Sequence, residues 1–191
     1  MPPKHSCAVS LDSARVILGN ISRALQKESS PEVWLNLWEN LDRLLPNLEK
    51  IERECGVDLS KEKILVDDAI LCGRHCPGTR SIANKFFWEQ KIIEKVKSKA
   101  KENKSCSCAV SFVDLMSNVD EFLDALDRGK EREALVLVKS IEKGLHNVEA
   151  KCGIDLLKEK RKFEKVVATK DPKYLGKMLL ELSSDISEKL E

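Results

Sequence analysis

The chain has 191 residues, of which 42% are hydrophobic and 34% are charged, and its formal net charge is +1. This near-neutral charge excludes a global field that would draw the protein to nucleic acid or to an anionic membrane. No apolar run is long enough to span a membrane, and residues 1–5 lack the apolar core of a signal peptide. We therefore expect a cytoplasmic protein that does not bind membranes.

Glutamine is scarce in the sequence, since it occurs only at Gln26 and Gln90. Proteins of thermophiles carry fewer thermolabile amides and more ion pairs, so this bias leans towards a thermophile. The bias bears on the seven cysteines, because intracellular disulfides are rare in mesophiles and common in hyperthermophiles.

Two segments occur twice in the same order. Residues 5–11 (HSCAVSL) return as residues 106–112 (CSCAVSF), and residues 55–63 (CGVDLSKEK) return as residues 152–160 (CGIDLLKEK). The two matches lie 101 and 97 positions apart. They indicate a duplicated unit of about 100 residues.

The first half of each unit has the pattern of two helices. Apolar residues recur every three or four positions over 7–25 and again over 108–126, which predicts a helix with one apolar face. Ser30 and Pro31 then predict the start of a second helix, with serine as its cap and proline in its first turn. The short turn between the first and second helices predicts that they form an antiparallel hairpin.

Each second helix is followed by signals for a stop and a new start. Gly56 and Gly153 occupy the position after a helix that favours left-handed backbone. Asp58 and Asp155 stand where a side chain caps the next helix. The sequence therefore predicts a third helix in each unit.

A fourth helix is predicted at about 80–100 in the first unit and about 173–190 in the second. No segment shows the alternation of a strand. We predict an all-α, bundle-like protein made of two units, residues 1–103 and 104–191, each a helix hairpin plus two further helices. The pattern leaves open whether the two units share a core.

Four cysteines stand at the predicted hairpin ends. An antiparallel hairpin brings Cys7 to Cys55 in the first unit and Cys108 to Cys152 in the second. Each pair can form a disulfide, which would close a loop and stabilise the fold by about 4 kcal/mol. Alternatively the thiols are reduced and pack as small apolar residues, or they bind a metal.

The metal interpretation draws on further thiol and imidazole groups. His5 and Cys106 each stand two residues before the first paired cysteine of a unit. Cys72, His75 and Cys76 form a compact group, present only in the first unit, that suits metal binding or thiol redox chemistry. Alternatively, this group is a turn whose two cysteines form a disulfide with each other or fill a gap in the packing. The sequence requires no cofactor, but zinc or an iron–sulfur cluster fits these residue types.

An aromatic run, Phe86-Phe87-Trp88, follows that group. Three consecutive aromatic residues spread over more of a helix than one apolar stripe. They therefore pack between the two units or present a ring to a partner.

Residues 85–104 hold seven lysines. Lys91, Lys95 and Lys99 are the candidates for contact with a nucleic-acid backbone. The alternative is a solvated helix that also links the two units.

The sequence contains no phosphate-binding loop, nucleophile elbow or metalloprotease helix, and we assign no catalytic residue. The expected function is a non-enzymatic interaction or assembly module that binds a protein partner or itself. The alternatives are a metal or thiol-redox protein and a nucleic-acid accessory protein.

Overall fold

The computed structural model describes residues 5–27, 30–72, 77–84 and 87–190. In these ranges the chain forms helices and no strand, which confirms the all-α prediction. The α-helices are α1 (Ser6–Gln26), α2 (Pro31–Cys55), α3 (Ser60–Cys72), α4 (Pro77–Ile82), α5 (Glu94–Ala100), α6 (Lys104–Asp127), α7 (Glu131–Val148), α8 (Leu157–Val167) and α9 (Pro172–Leu190). Two segments are π-helical, π1 (Phe87–Ile93) and π2 (Glu149–Gly153). None of the described helices is long and apolar enough to cross a bilayer.

The helix boundaries follow the signals in the sequence. The Val33 amide donates to the Ser30 side chain at the start of α2, and Pro31 is the first helical residue. Gly56 and Gly153 both have φ +68°, the left-handed backbone that ends a helix at low steric cost.

Aspartate caps follow the two glycines. Asp58 accepts a hydrogen bond from the Ser60 amide, and Asp155 accepts one from the Leu157 amide, each at 2.9 Å. Both bonds satisfy an amide that the first turn of a helix leaves without a backbone partner.

The fourth helix is continuous only in the second unit, where α9 spans Pro172–Leu190. In the first unit the expected helix at 80–100 is divided into α4, π1 and α5. Phe87 and Ile92 are both buried, but side chains five residues apart point about 140° apart on a regular α-helix. The wider π turn brings them to one side, so burial of both explains the irregular segment.

The helices pack in the spatial order α2, α1, α6, α7, and α5 and α9 lie against α6. Helices α1 and α6 run in the same direction, since His5 lies beside Cys108 and Arg15 contacts Asp120 further along both helices. One apolar core contains residues from both predicted units. The described parts of residues 1–103 and 104–191 therefore share a core.

A carboxylate links the end of one helix to the start of the next. Glu52 accepts hydrogen bonds from Lys63 Nζ at 2.5 Å and from the Leu59 amide at 2.6 Å. The hydrogen bond from Lys63 is the main reason that the pKa of Glu52 is lowered. Glu149 and Lys160 repeat the arrangement, and the pKa of Glu149 is lowered in the same way.

A buried carboxylate on the third helix of each unit binds a lysine of the fourth. Lys95 donates to Glu62 and to the Asp58 carbonyl, both at 2.7 Å. Lys189 lies 2.8 Å from Glu159. Glu62 and Glu159 are 3% and 5% exposed, so each lysine supplies the charge that a buried carboxylate needs.

Replacing either lysine with methionine should leave a buried carboxylate without its counter-ion. We expect Lys95→Met and Lys189→Met each to lower the free energy of unfolding by about 3 kcal/mol, measured by urea denaturation. The exposed Lys101 is the control, and Lys101→Met should change stability by less than about 0.5 kcal/mol. Equal effects of Lys95→Met and Lys101→Met would contradict the buried ion pair.

Candidate functional site

The structure gathers thiol and imidazole groups at one end of the molecule. This cysteine end is formed by the starts of α1 and α6 and the ends of α2 and π2. Its members are His5, Cys7, Cys55, Cys106, Cys108 and Cys152.

Both predicted cysteine pairs are present as disulfides. Cys7 is bonded to Cys55 with Cα atoms 5.1 Å apart, and Cys108 is bonded to Cys152 with Cα atoms 4.6 Å apart. All four side chains are at most 3% exposed. Each bond closes a hairpin at the end away from its turn.

Among the cysteines whose side chains the structure describes, Cys106 is the free one, and it is fully buried. Its thiol donates to the Cys55 carbonyl at 3.2 Å. Burial raises the pKa of Cys106, and the nearby charge of Lys99 only partly opposes this. Since the thiolate is the nucleophile and the metal ligand, the surroundings of Cys106 favour an inert packing role.

His5 lies beside the disulfide of the other unit. Its Nδ1 is 3.6 Å from the Cys108 sulfur, and the ligand atoms of His5, Cys108 and Cys152 all lie within 4.8 Å of one another. We call these three residues the His–Cys set. The sequence alone groups His5 with Cys7, because the packing of α1 along α6 has no local sequence signal.

The Cys72–His75–Cys76 group falls mostly outside the described residues. Cys72 is the last residue of α3, and the structure describes its backbone only. His75, Cys76 and Phe86 lie outside the described ranges.

A groove of about 980 Å³ runs along one side of the molecule. Its walls are α1 and α6, and residues of α4, π1 and α5 complete it. We call it the side groove. It is lined by Arg15, Val16, Leu18, Gly19, Ser22, Arg23, Ile82, Ala83, Asn84, Trp88, Ile93, Glu94, Lys97, Val113, Asp114, Ser117, Asn118, Asp120 and Glu121.

The groove separates a wall with arginines from a wall with carboxylates. Arg15 on α1 bonds to Asp12 at 2.8 Å and also contacts Asp120 on α6. Burial raises the pKa of Asp114, and the charge of Lys97 opposes that effect. Asp114 is nonetheless exposed, so the α6 wall presents an accessible carboxylate.

The aromatic and lysine candidates have different environments. Phe87 is buried in the core, whereas Trp88 is partly buried and lines the side groove. Lys91 is exposed, while Lys95 binds Glu62 within the molecule. Of these residues, only Trp88 faces a cavity large enough for a ligand.

The disulfide arrangement predicts the thiol count. Seven cysteines less the four in disulfides leave at most three reactive thiols in denatured, unreduced protein. Peptide mapping by mass spectrometry should join Cys7 to Cys55 and Cys108 to Cys152. Cys106 should react only after denaturation, because it is buried. Labelling of all seven cysteines would contradict the assignment.

Comparison of the chain with protein-family models, with curated proteins and with solved structures gives no match. The cysteine end and the side groove are therefore the features from which a function can be inferred. These two sites differ in kind, since one gathers a histidine beside disulfide-bonded cysteines and the other is an open groove of about 980 Å³.

Proposed function

We propose that the protein is a non-enzymatic interaction module that binds an amphipathic helical segment of a partner protein in the side groove. The observation that carries the proposal is the position of Trp88 in a groove of about 980 Å³. Trp88 belongs to π1, a segment without a counterpart in the second unit, where α9 is continuous. The groove thus lies where the two units differ.

The groove offers apolar surface to a partner. Val16 is 44% exposed and Trp88 adds a partly exposed ring, and the buried Leu18, Ile82, Ile93 and Val113 lie beneath them. Partly exposed aromatic rings are frequent anchors of protein interfaces. An apolar stripe on a partner helix would cover this surface.

The α6 wall favours basic residues on that helix. Asp114, Ser117, Asn118 and Glu121 recur at helical spacing and line the groove. Arg15 already neutralises Asp120, so Asp114 and Glu121 are the carboxylates that a lysine or arginine of the partner would meet.

Gly19 provides space on the opposite wall. A Cβ atom added at Gly19 would meet no atom within 4 Å. The groove side of α1 therefore has open space at Gly19, which leaves room for a partner helix to lie in the groove across α1 and α6.

Nucleic-acid binding stays an alternative proposal, but not all of its candidate lysines are available. Lys95 is engaged by Glu62 and by the Asp58 carbonyl. Lys91 and Lys99 are exposed and remain its candidates. No further observation favours it over the groove.

Metal binding is the second candidate function, and the His–Cys set supports it. Once the Cys108–Cys152 disulfide is reduced, the set offers one imidazole and two thiolates, ligand types that zinc prefers, whereas an iron–sulfur cluster commonly takes four cysteines. We therefore place the candidate metal ligands at His5, Cys108 and Cys152, the residues of this type that lie together within the described part of the chain.

Filling the groove should weaken partner binding without disturbing the fold. The probe is a displayed library of helical peptides selected on the wild-type protein. We expect recovered peptides to combine an apolar stripe with lysine or arginine, and to bind Gly19→Trp at least about tenfold more weakly, a loss of about 1.4 kcal/mol.

Gly19→Ala is the matched control, because it removes the same glycine and adds only a methyl group. It should retain peptide binding and raise the free energy of unfolding by about 0.5–1 kcal/mol, since alanine favours helix. If no selected peptide distinguishes Gly19→Trp from Gly19→Ala, the groove is not the docking site.

A further inference from the structure

We propose that reduction of the Cys108–Cys152 disulfide opens a Zn²⁺ site made of His5, Cys108 and Cys152. This inference develops the second candidate function and does not depend on the side groove. The protein would then hold zinc in reducing conditions and release it when the disulfide forms.

The distances suit tetrahedral zinc. Zinc binds sulfur at about 2.3 Å and nitrogen at about 2.0–2.1 Å, which places a sulfur and a nitrogen ligand about 3.6 Å apart. The Cys108 sulfur and His5 Nδ1 are 3.6 Å apart. On reduction, the two sulfurs need only separate to about 3.8 Å, which their side chains can supply by rotation.

The surroundings shelter the ligands on one side. Cys108 and Cys152 are 1% and 3% exposed, whereas His5 is partly exposed at the end of the molecule. The ion would enter past His5 and keep its fourth position for water or an exogenous ligand. Sites with three protein ligands and an open position are common for zinc that is not purely structural.

The redox step balances with an external dithiol. Two electrons and two protons pass from the dithiol to Cys108 and Cys152, and the dithiol leaves as its own disulfide. Zinc binding then releases one proton from each thiol, because the ligand is the thiolate. Reoxidation by a disulfide removes both thiolates and expels the ion.

The first unit supplies an internal comparison. The residue that corresponds to His5 is Cys106, and its thiol is directed to the Cys55 carbonyl rather than into a ligand set. Within the described residues, His5, Cys108 and Cys152 form the one group of three metal-ligating side chains that has this geometry. The Cys7–Cys55 pair is therefore a matched control.

Cobalt binding tests the inference, because Co²⁺ takes the same ligands and its thiolate charge-transfer bands report coordination. The host is the full chain with Cys72→Ser and Cys76→Ser. These substitutions remove both thiols of the Cys72–His75–Cys76 group. After reduction with a phosphine, we expect one Co²⁺ per chain, displaced by Zn²⁺. The oxidised host should bind none.

Variants identify the ligands. Loss of a residue that only hydrogen-bonds to a metal ligand typically weakens metal binding 10–100-fold. Loss of a ligand itself should cost more, so we expect His5→Ala and Cys152→Ser each to weaken Co²⁺ binding by at least about 100-fold. Adding Cys7→Ser and Cys55→Ser to the host should leave Co²⁺ binding within about threefold. Circular dichroism checks that each reduced variant stays helical.

Three outcomes would overturn the proposal. They are no Co²⁺ binding by the reduced host, equal binding before and after reduction, and binding that survives both His5→Ala and Cys152→Ser. If Cys152→Ser does not fold, His5→Ala decides alone, because His5 lies at the partly exposed start of α1.

Discussion

The packing of α6 is the constraint on which the rest of the structure depends. This helix contacts α1, α5, α7 and α9, and it buries two apolar rows rather than one. A helix that is apolar over so much of its circumference belongs in the interior. The first row is Cys108, Phe112, Leu115, Val119 and Phe122, and the second is Cys106, Ala109, Val113 and Met116.

Both candidate sites follow from the way α1 lies along α6. At the start of the two helices, the parallel packing brings His5 to Cys108 and Cys106 to the carbonyl of Cys55. Further along, the same helices are the walls of the side groove, and Arg15 joins them through Asp120. The cysteine end and the groove are thus two consequences of one interface between the units.

The sequence predicts local features well because spacing carries them. The hairpin pairing of Cys7 with Cys55, the left-handed Gly56 and the capping Asp58 are all in place. Features set by contacts between the units were missed. The spacing of the second α6 row is readable as helical, but the sequence does not show that α6 packs along α1, where Arg15 bonds both to Asp12 of its own unit and to Asp120 of the other. The duplication itself remains an interpretation of the sequence.

Calorimetric unfolding of the full chain with its disulfides intact tests most directly whether the two units form one core around α6. A shared core predicts one transition whose calorimetric and van't Hoff enthalpies agree in a ratio of about one. Two separate transitions, or a calorimetric enthalpy about twice the van't Hoff value, would show that residues 1–103 and 104–191 unfold independently and would contradict the account.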